Sequence, residues 1–214
     1  GSIGTQSTNN LGGTIEYFSM DPLDHLAMDA SATYGSDETM RGFVRLNVGS
    51  PEGFRGYVSY GYGSTDKYRG HGKQDQHIVN AKGVLPVGDG QIDGWLSYSD
   101  RREQDYQDMS LGMLDRLGYK FDNTHPDYAL AVLLADIGNN RGDTGAPVSN
   151  AAAGTVYPGA ITSVDDAYYD ASGLRKDTLA ALGYSTPIGE RADFAIKGYY
   201  HHDEGMGLWS TPYT

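Results

Sequence analysis

Met40-Arg41-Gly42-Phe43-Val44-Arg45-Leu46-Asn47-Val48 decides how this chain is read. Met40, Val44, Leu46 and Val48 fall on even positions, and Arg41, Arg45 and Asn47 on odd ones. Side chains alternate across a β-strand with period two, so the run is a strand with one apolar and one polar face. The pattern recurs on both sides. In Leu26 to Tyr34 the even positions are apolar or aromatic. Phe54, Val58, Tyr60 and Tyr62 oppose Arg55, Ser59 and Gly61. Val79, Ala81, Leu85 and Val87 oppose Asn80 and Lys82, and Ile92, Leu96 and Tyr98 oppose Gln91, Asp93 and Ser97. Ala180, Leu182 and Tyr184 oppose Arg175, Asp177 and Gly183. Phe194, Ile196 and Tyr200 oppose Arg191, Asp193 and Lys197.

The reading is therefore an all-β, antiparallel protein with about seven strands of roughly 9–11 residues. At about 3.3 Å per residue and a tilt near about 40°, such a strand spans a hydrocarbon layer of about 25 Å. Strands of ordinary globular proteins average nearer about 5–6 residues.

Composition agrees with many strands and turns. The 214 residues include 30 Gly, 17 Tyr and no Cys, with 38% hydrophobic residues and a formal net charge of −12. Gly at about twice its ordinary usage argues against a helical bundle. No run of about 18 apolar residues is present, which excludes a membrane-spanning helix but not a membrane β-barrel, whose strands are only half apolar. The acidic balance disfavours nucleic acid as a partner. Without Cys there are no disulfides or thiolate metal sites. The first residues lack the basic start and apolar core of a signal peptide, so the expectation is a removed leader or a start inside a longer protein.

The connections are sorted. Gly49-Ser50-Pro51-Glu52-Gly53, Gly88-Asp89-Gly90 and Pro187-Ile188-Gly189-Glu190 are tight turns at one end, where Gly supplies positive φ and Pro and Asp pre-set turn geometry. The other end carries the short Gly35-Ser36-Asp37-Glu38, a polar stretch from Ser64 to Gln76, and a segment from Arg101 to Gly173. That last segment, of about 70 residues, is too long to be structureless. It contains Met109 to Leu117 and then His125 to Asp136, a stretch dominated by Ala and Leu, with Pro126 suited to a helix start and Gly138 to its stop. The expectation is a helix of about ten residues, with a buried strand at Ala129 to Leu134 as its rival. Asn139 to Gly145 and Asn150 to Gly159 read as irregular chain.

The opening Asn9-Asn10-Leu11-Gly12-Gly13-Thr14-Ile15-Glu16-Tyr17-Phe18-Ser19, followed by Asp21-Pro22, is similar to the end of the plug domain in TonB-dependent outer-membrane receptors. There a Gly-Gly-x-Ile strand closes the plug before a short linker enters the first barrel strand. Together with one-sided loops and long amphipathic strands, the resemblance covers essentially the whole chain. It implies that residues 1–24 are the end of the plug and its linker. Residues 25–214 would be the first part of a transmembrane β-barrel of roughly 22 strands. Residues 101–173 would form a long, partly helical extracellular loop. The plug's body, the segment that recruits the coupling protein and the closing strands are missing, and Ser210-Thr211-Pro212-Tyr213-Thr214 reads as a loop, so the chain reads as a fragment.

What the resemblance implies about function is energy-coupled uptake of a scarce small-molecule substrate across the outer membrane of a Gram-negative bacterium. The substrate class stays open between iron chelates (siderophores), cobalamin, carbohydrate and small aromatic compounds. The partners implied are outer-membrane lipid and the TonB energy-coupling complex, reached through a segment this chain lacks. Arg41, Arg45, Arg55, Lys82, Asp93, Arg175, Asp177, Asp193 and Lys197 would face the lumen. Ligand-binding locations, placed by analogy in the outer loops, are Lys67, Tyr68, Arg69, Arg101, Arg102, Tyr106, His201 and His202.

Other chemistry is weakly signalled. His201-His202-Asp203-Glu204 offers metal-ligating types, but neighbours on an extended chain point to opposite faces, so it reads as a polar strand end and no metal site is expected. Asp143 and Asp165-Asp166 lack the spacing of a calcium loop and read as solvated carboxylates. No G-x-S-x-G turn is present, so neither an enzyme nor a cofactor is expected. Tyr34, Tyr60, Tyr62, Tyr98 and Tyr200 read as interface aromatics near the long-loop ends of their strands. The alternative function is a soluble, secreted β-sandwich or adhesin that recognises glycans through Tyr-rich loops. The two differ in what covers Val44, Leu46, Val58, Leu85, Leu96, Leu182 and Ile196: lipid, or a second protein layer.

Overall fold

The alternating runs pair in chain order into one antiparallel meander. The computed structural model describes residues 18–166 and 168–210. Its strands are β1 Ala27–Tyr34, β2 Met40–Gly49, β3 Arg55–Asp66, β4 Lys73–Val87, β5 Gly90–Gln104, β6 Asp170–Ile188 and β7 Ala192–Ser210. They form a seven-stranded sheet in the order β1 to β7, open at both edges. The Gly-Gly-x-Ile run lies outside the described residues, as do Thr211 to Thr214.

Register carries each face intact through the sheet. Met28, Leu46, Val58, Ala81, Leu96, Ala180 and Tyr200 form one cross-strand row. The next row, on the opposite face, is Asp29, Arg45, Ser59, Asn80, Ser97, Leu179 and His201. A slip of one residue in any pair would exchange the faces, which fixes the register wherever one face is covered. All seven diagnostic apolar residues lie on the first face, 39–64% exposed. Among the described residues, no second layer covers them. No helix of the described residues is long and apolar enough to cross a membrane, which says nothing of strands.

The turns sort as the sequence indicates. At one end lie residues 50–54, the two-residue turn Gly88-Asp89 and residues 189–191. At the other lie residues 35–39, 67–72 and 105–169. The strands exceed the sequence expectation, however, with β4 and β5 at 15 residues and β6 and β7 at 19. Apolar alternation stops at Ser99 and Tyr200, but Asp100 to Gln104 and His201 to Ser210 continue as strand. Their backbone groups are satisfied by the neighbouring strand whatever the side chains are. Ser210, expected in a loop, therefore pairs with Asp170. Tyr200, expected near a strand end, lies in mid-strand beside Ala180.

Residues 20–24 run along the polar face at the tight-turn end. Lys82 Nζ donates to Asp21 Oδ1 at 2.7 Å, Arg45 Nη1 contacts Met20 Sδ at 3.2 Å, and Leu23 N donates to the fully buried Asn47 at 3.4 Å.

The buried hydrophobic cluster is not in the sheet. Leu134, Ile137, Tyr157 and Val164 form it inside the 105–169 insertion, with Phe121, Leu130, Ala153 and Ile161 packed around. The insertion holds helices α1 Leu111–Leu117 and α2 Tyr128–Arg141, and 3-10 turns at Ala151–Ala153 and Val164–Asp166. Asp127 caps α2, accepting from Leu130 N at 2.9 Å. The helix has 14 residues rather than ten and runs through Gly138, taking in Asn139 to Arg141, to end at Gly142 with φ +81°. Gly138 serves a close approach rather than a stop: a Cβ there would lie 3.0 Å from Thr144 Cγ2, 3.2 Å from Tyr157 Oη and 3.3 Å from Val164 Cβ.

Candidate binding site at the loop end of the sheet

The 67–72 loop and the insertion are sewn into one unit, and Lys67 is the main stitch. Its ammonium forms an ion pair with Asp122, both side chains having no exposed surface, and donates to Asp105 O at 2.7 Å. Asp122 Oδ1 also accepts from Gln107 N at 2.7 Å, and Gln107 Nε2 donates to Asp165 O at 3.1 Å and Asp166 O at 2.9 Å. Gly70 N donates to Lys120 O at 3.1 Å. Gly70, at φ +64°, lies so close that a Cβ would be 2.5 Å from Asp122 Cβ. Lys67, expected as a ligand position, is thus a buried structural group.

Above this junction the aromatic and cationic side chains converge. Tyr68 stands 5.0 Å from Tyr106 and 6.2 Å from Tyr119 between ring centroids, each pair tilted by 41°. The Arg69 guanidinium sits 5.6 Å from the Tyr68 centroid and 5.1 Å from that of Tyr106. Lys120 Nζ sits 5.7 Å from the Tyr68 centroid and donates to Tyr68 O. Tyr106 Oη accepts from Tyr68 N at 3.1 Å, which ties the Tyr106 ring to the Tyr68 backbone. Tyr68, Arg69 and Tyr106 are therefore brought together, joined by Tyr119 and Lys120. Nothing in the spacing of the sequence marks the last two, which are about 50 residues from Tyr68 along the chain.

The other expected positions are in strands rather than loops. Arg101 and Arg102 lie in β5, and His201 and His202 in β7. Alternation sends Arg101 to the polar face, where it pairs with Glu103, and Arg102 to the opposite face, 3.6 Å from Asp100. His201 on the polar face meets Asp177 at 2.8 Å, while His202 is opposite Thr178 on the apolar-face side. They join no common site with the tyrosines. On the polar face Thr33, Arg41, Gln76 and Arg101 line a groove of about 650 Å³. Arg41, Gly63, Gln76, Arg101 and Arg175 fall in one cross-strand row there.

Asp166, expected as a solvated carboxylate, is bound inside the insertion, whereas Asp143 is ion-paired at an exposed position. Asp166 is 6% exposed and takes both nitrogens of the Arg116 fork, at 2.7 and 2.8 Å. It also accepts from Thr162 N and Oγ1 and Ser163 N. The Arg116 hydrogen bonds, with those from Thr162 and Ser163, hold its pKa far below the usual carboxylate range against the opposing effect of burial. Asp143 accepts from Arg141 at 2.7 Å and from Tyr157 Oη at 3.0 Å. Burial, then this hydrogen bond, pushes the Tyr157 phenol up to about 12. Among the described residues, no group of three or more His, Asp or Glu is arranged to hold a metal ion.

Compared with protein-family models, with curated proteins and with solved structures, the chain matches none.

Proposed function

We propose that the chain is a wall segment of an outer-membrane transport receptor of the TonB-dependent kind, taking up a scarce small-molecule substrate. The observation that carries this reading is the two-sidedness of the sheet. One face is apolar across all seven strands and has no protein over it among the described residues, with Leu182 64% and Ile196 61% exposed. In water that face would be an aggregation surface far larger than soluble monomers expose. Against hydrocarbon it is the outer wall of a barrel, with β1 and β7 continued by further strands.

Three further features support it. The loops gather at one end, as in outer-membrane barrels with short periplasmic turns and long external loops. The opposite face is polar with paired charges, among them Arg45–Asp29 at 2.7 Å and Lys197–Asp93 at 3.4 Å. Residues 20–24 lie on that polar face, where a linker from a plug would enter the lumen.

The test is membrane insertion. Leu182→Arg on the apolar face is expected to cost about 2–4 kcal/mol of stability in lipid, if that site faces the bilayer midplane. The wild-type chain is expected to require detergent or urea to stay dispersed. A chain that is monodisperse in plain buffer and unfolds cooperatively in urea belongs instead to a soluble glycan-binding β-sandwich.

A further inference from the structure

The unit formed by residues 67–72 and 105–169 pairs its lysines and arginines with carboxylates, with one local exception. Of its five cationic side chains, Lys67 pairs with Asp122, Arg116 with Asp166 and Arg141 with Asp143. Arg69 and Lys120 have no carboxylate partner among the described residues. Arg69 donates only to Gln107 O at 3.3 Å and Met109 Sδ at 3.4 Å, and its Nε is buried without an acceptor. Both unpaired cations sit beside the Tyr68 ring, and Arg69 also lies beside that of Tyr106. In a chain of net charge −12 this is a small cationic island.

The unit buries Leu134, Ile137 and Tyr157, yet leaves Tyr68 41% and Tyr119 66% exposed. The hydrogen bond from Tyr68 N to Tyr106 Oη and the contact of Gly70 with Asp122 hold the platform before any ligand arrives, so little ordering cost remains to binding.

We propose that Tyr68, Tyr106, Tyr119, Arg69 and Lys120 bind acidic carbohydrate, a chain of sugar rings bearing carboxylate or sulfate groups. A pyranose presents an apolar C–H face to an aromatic ring, and its acidic substituent lies at the ring edge, within reach of a cation beside the tyrosine. Successive tilted tyrosines match successive sugars. A compact inorganic anion would leave the rings unused, a neutral sugar would leave the cations unused, and one aryl acid would cover only one ring. The proposal rests on the transport reading only in placing this end of the sheet outside the cell, and the binding itself needs no membrane.

The experiment is titration of the whole chain, in detergent micelles and in plain buffer, with an oligogalacturonate followed by calorimetry. The expected result is saturable binding that weakens with added salt. A neutral malto-oligosaccharide of equal length should bind about tenfold more weakly, and Tyr119→Ala and Lys120→Gln should each weaken oligogalacturonate about fivefold. Tyr128→Ala, at another exposed ring of the insertion, should leave binding unchanged. Four results would overturn the proposal: no binding, equal binding of the neutral sugar, wild-type affinity in both platform variants, or equal competition by citrate or a single-stranded oligonucleotide. Need for micelles reports on the transport reading and oligogalacturonate binding on this one. A chain that is soluble in buffer and binds the acidic sugar would remove the first and keep the second.

Discussion

The sheet and the insertion of residues 105–169 are held together by different means within one chain. The insertion follows the rules of a protein in water: Leu134 and Ile137 are 1–2% exposed, the Asp166 carboxylate is hydrogen-bonded inside, and helix ends are capped. The sheet keeps almost no apolar core of its own. Its large hydrophobic side chains point outward and its order comes from the backbone ladder, whose groups the strands satisfy among themselves. What separates the two is the solvent each was shaped for.

The difference is broken most severely at the junction between them. Asp122→Ala leaves the Lys67 ammonium buried without a counter-ion and is expected to destabilise the insertion by about 3–5 kcal/mol. The double variant Lys67→Met/Asp122→Leu should recover most of that loss, measured by urea titration followed by hydrogen exchange at residues 131–137.

A matched pair of truncations comes next. Leu134→Ala removes packed atoms and should cost about 2–5 kcal/mol. Leu182→Ala in lipid exchanges contacts with hydrocarbon tails for nearly equivalent ones and should cost under about 1 kcal/mol. Equal costs at the two sites would place Leu182 in a protein core.

Acid should separate the regions as well. The pKa of Asp166 is depressed by Arg116, so its contribution is complete above the ordinary Asp value, near about 4. It is lost as pH falls from there through the folded value. Hydrogen-exchange protection factors in the insertion should fall progressively below about pH 4 while those of the sheet, whose ladder carries no titrating group, persist. Asp166→Asn should weaken this acid response.

The smallest effect lies in the turn between β1 and β2, where Asp37 and Glu38 hold φ of +53° and +50°. Glu38→Gly relieves a left-handed conformation and should stabilise the hairpin by a few tenths to about 1 kcal/mol, read as a shift in thermal midpoint.

The two regions were also unequally legible. Period-two alternation assigned the faces of Val44, Leu96 and Ile196 correctly, because each side chain's orientation depends only on its own position along the strand. Strand ends were less so, since Asp100 to Gln104 and His201 to Ser210 are strands only through a neighbour's hydrogen bonds. The 14-residue helix ran past Gly138 because packing against Tyr157 and Val164 outweighed the propensity of one glycine. At the candidate site, Tyr68, Arg69 and Tyr106 were recognisable as exposed types in loops. Tyr119 and Lys120 were not, because no local pattern joins α1's far end to the 67–72 loop.

Residue order by itself settled which side of each strand is apolar, where the hairpins turn and that the long connections share one end, since these follow from period, proline and glycine within a few residues. Only the tertiary structure decided that Lys67 is buried against Asp122, that Asp166 is bound rather than solvated, and that Arg69 and Lys120 alone of the unit's cations lack a carboxylate among the described residues. The reason is distance along the chain. Charges separated by dozens of residues acquire a partner, or fail to, only when the fold closes the space between them, and a linear pattern holds no record of that closure.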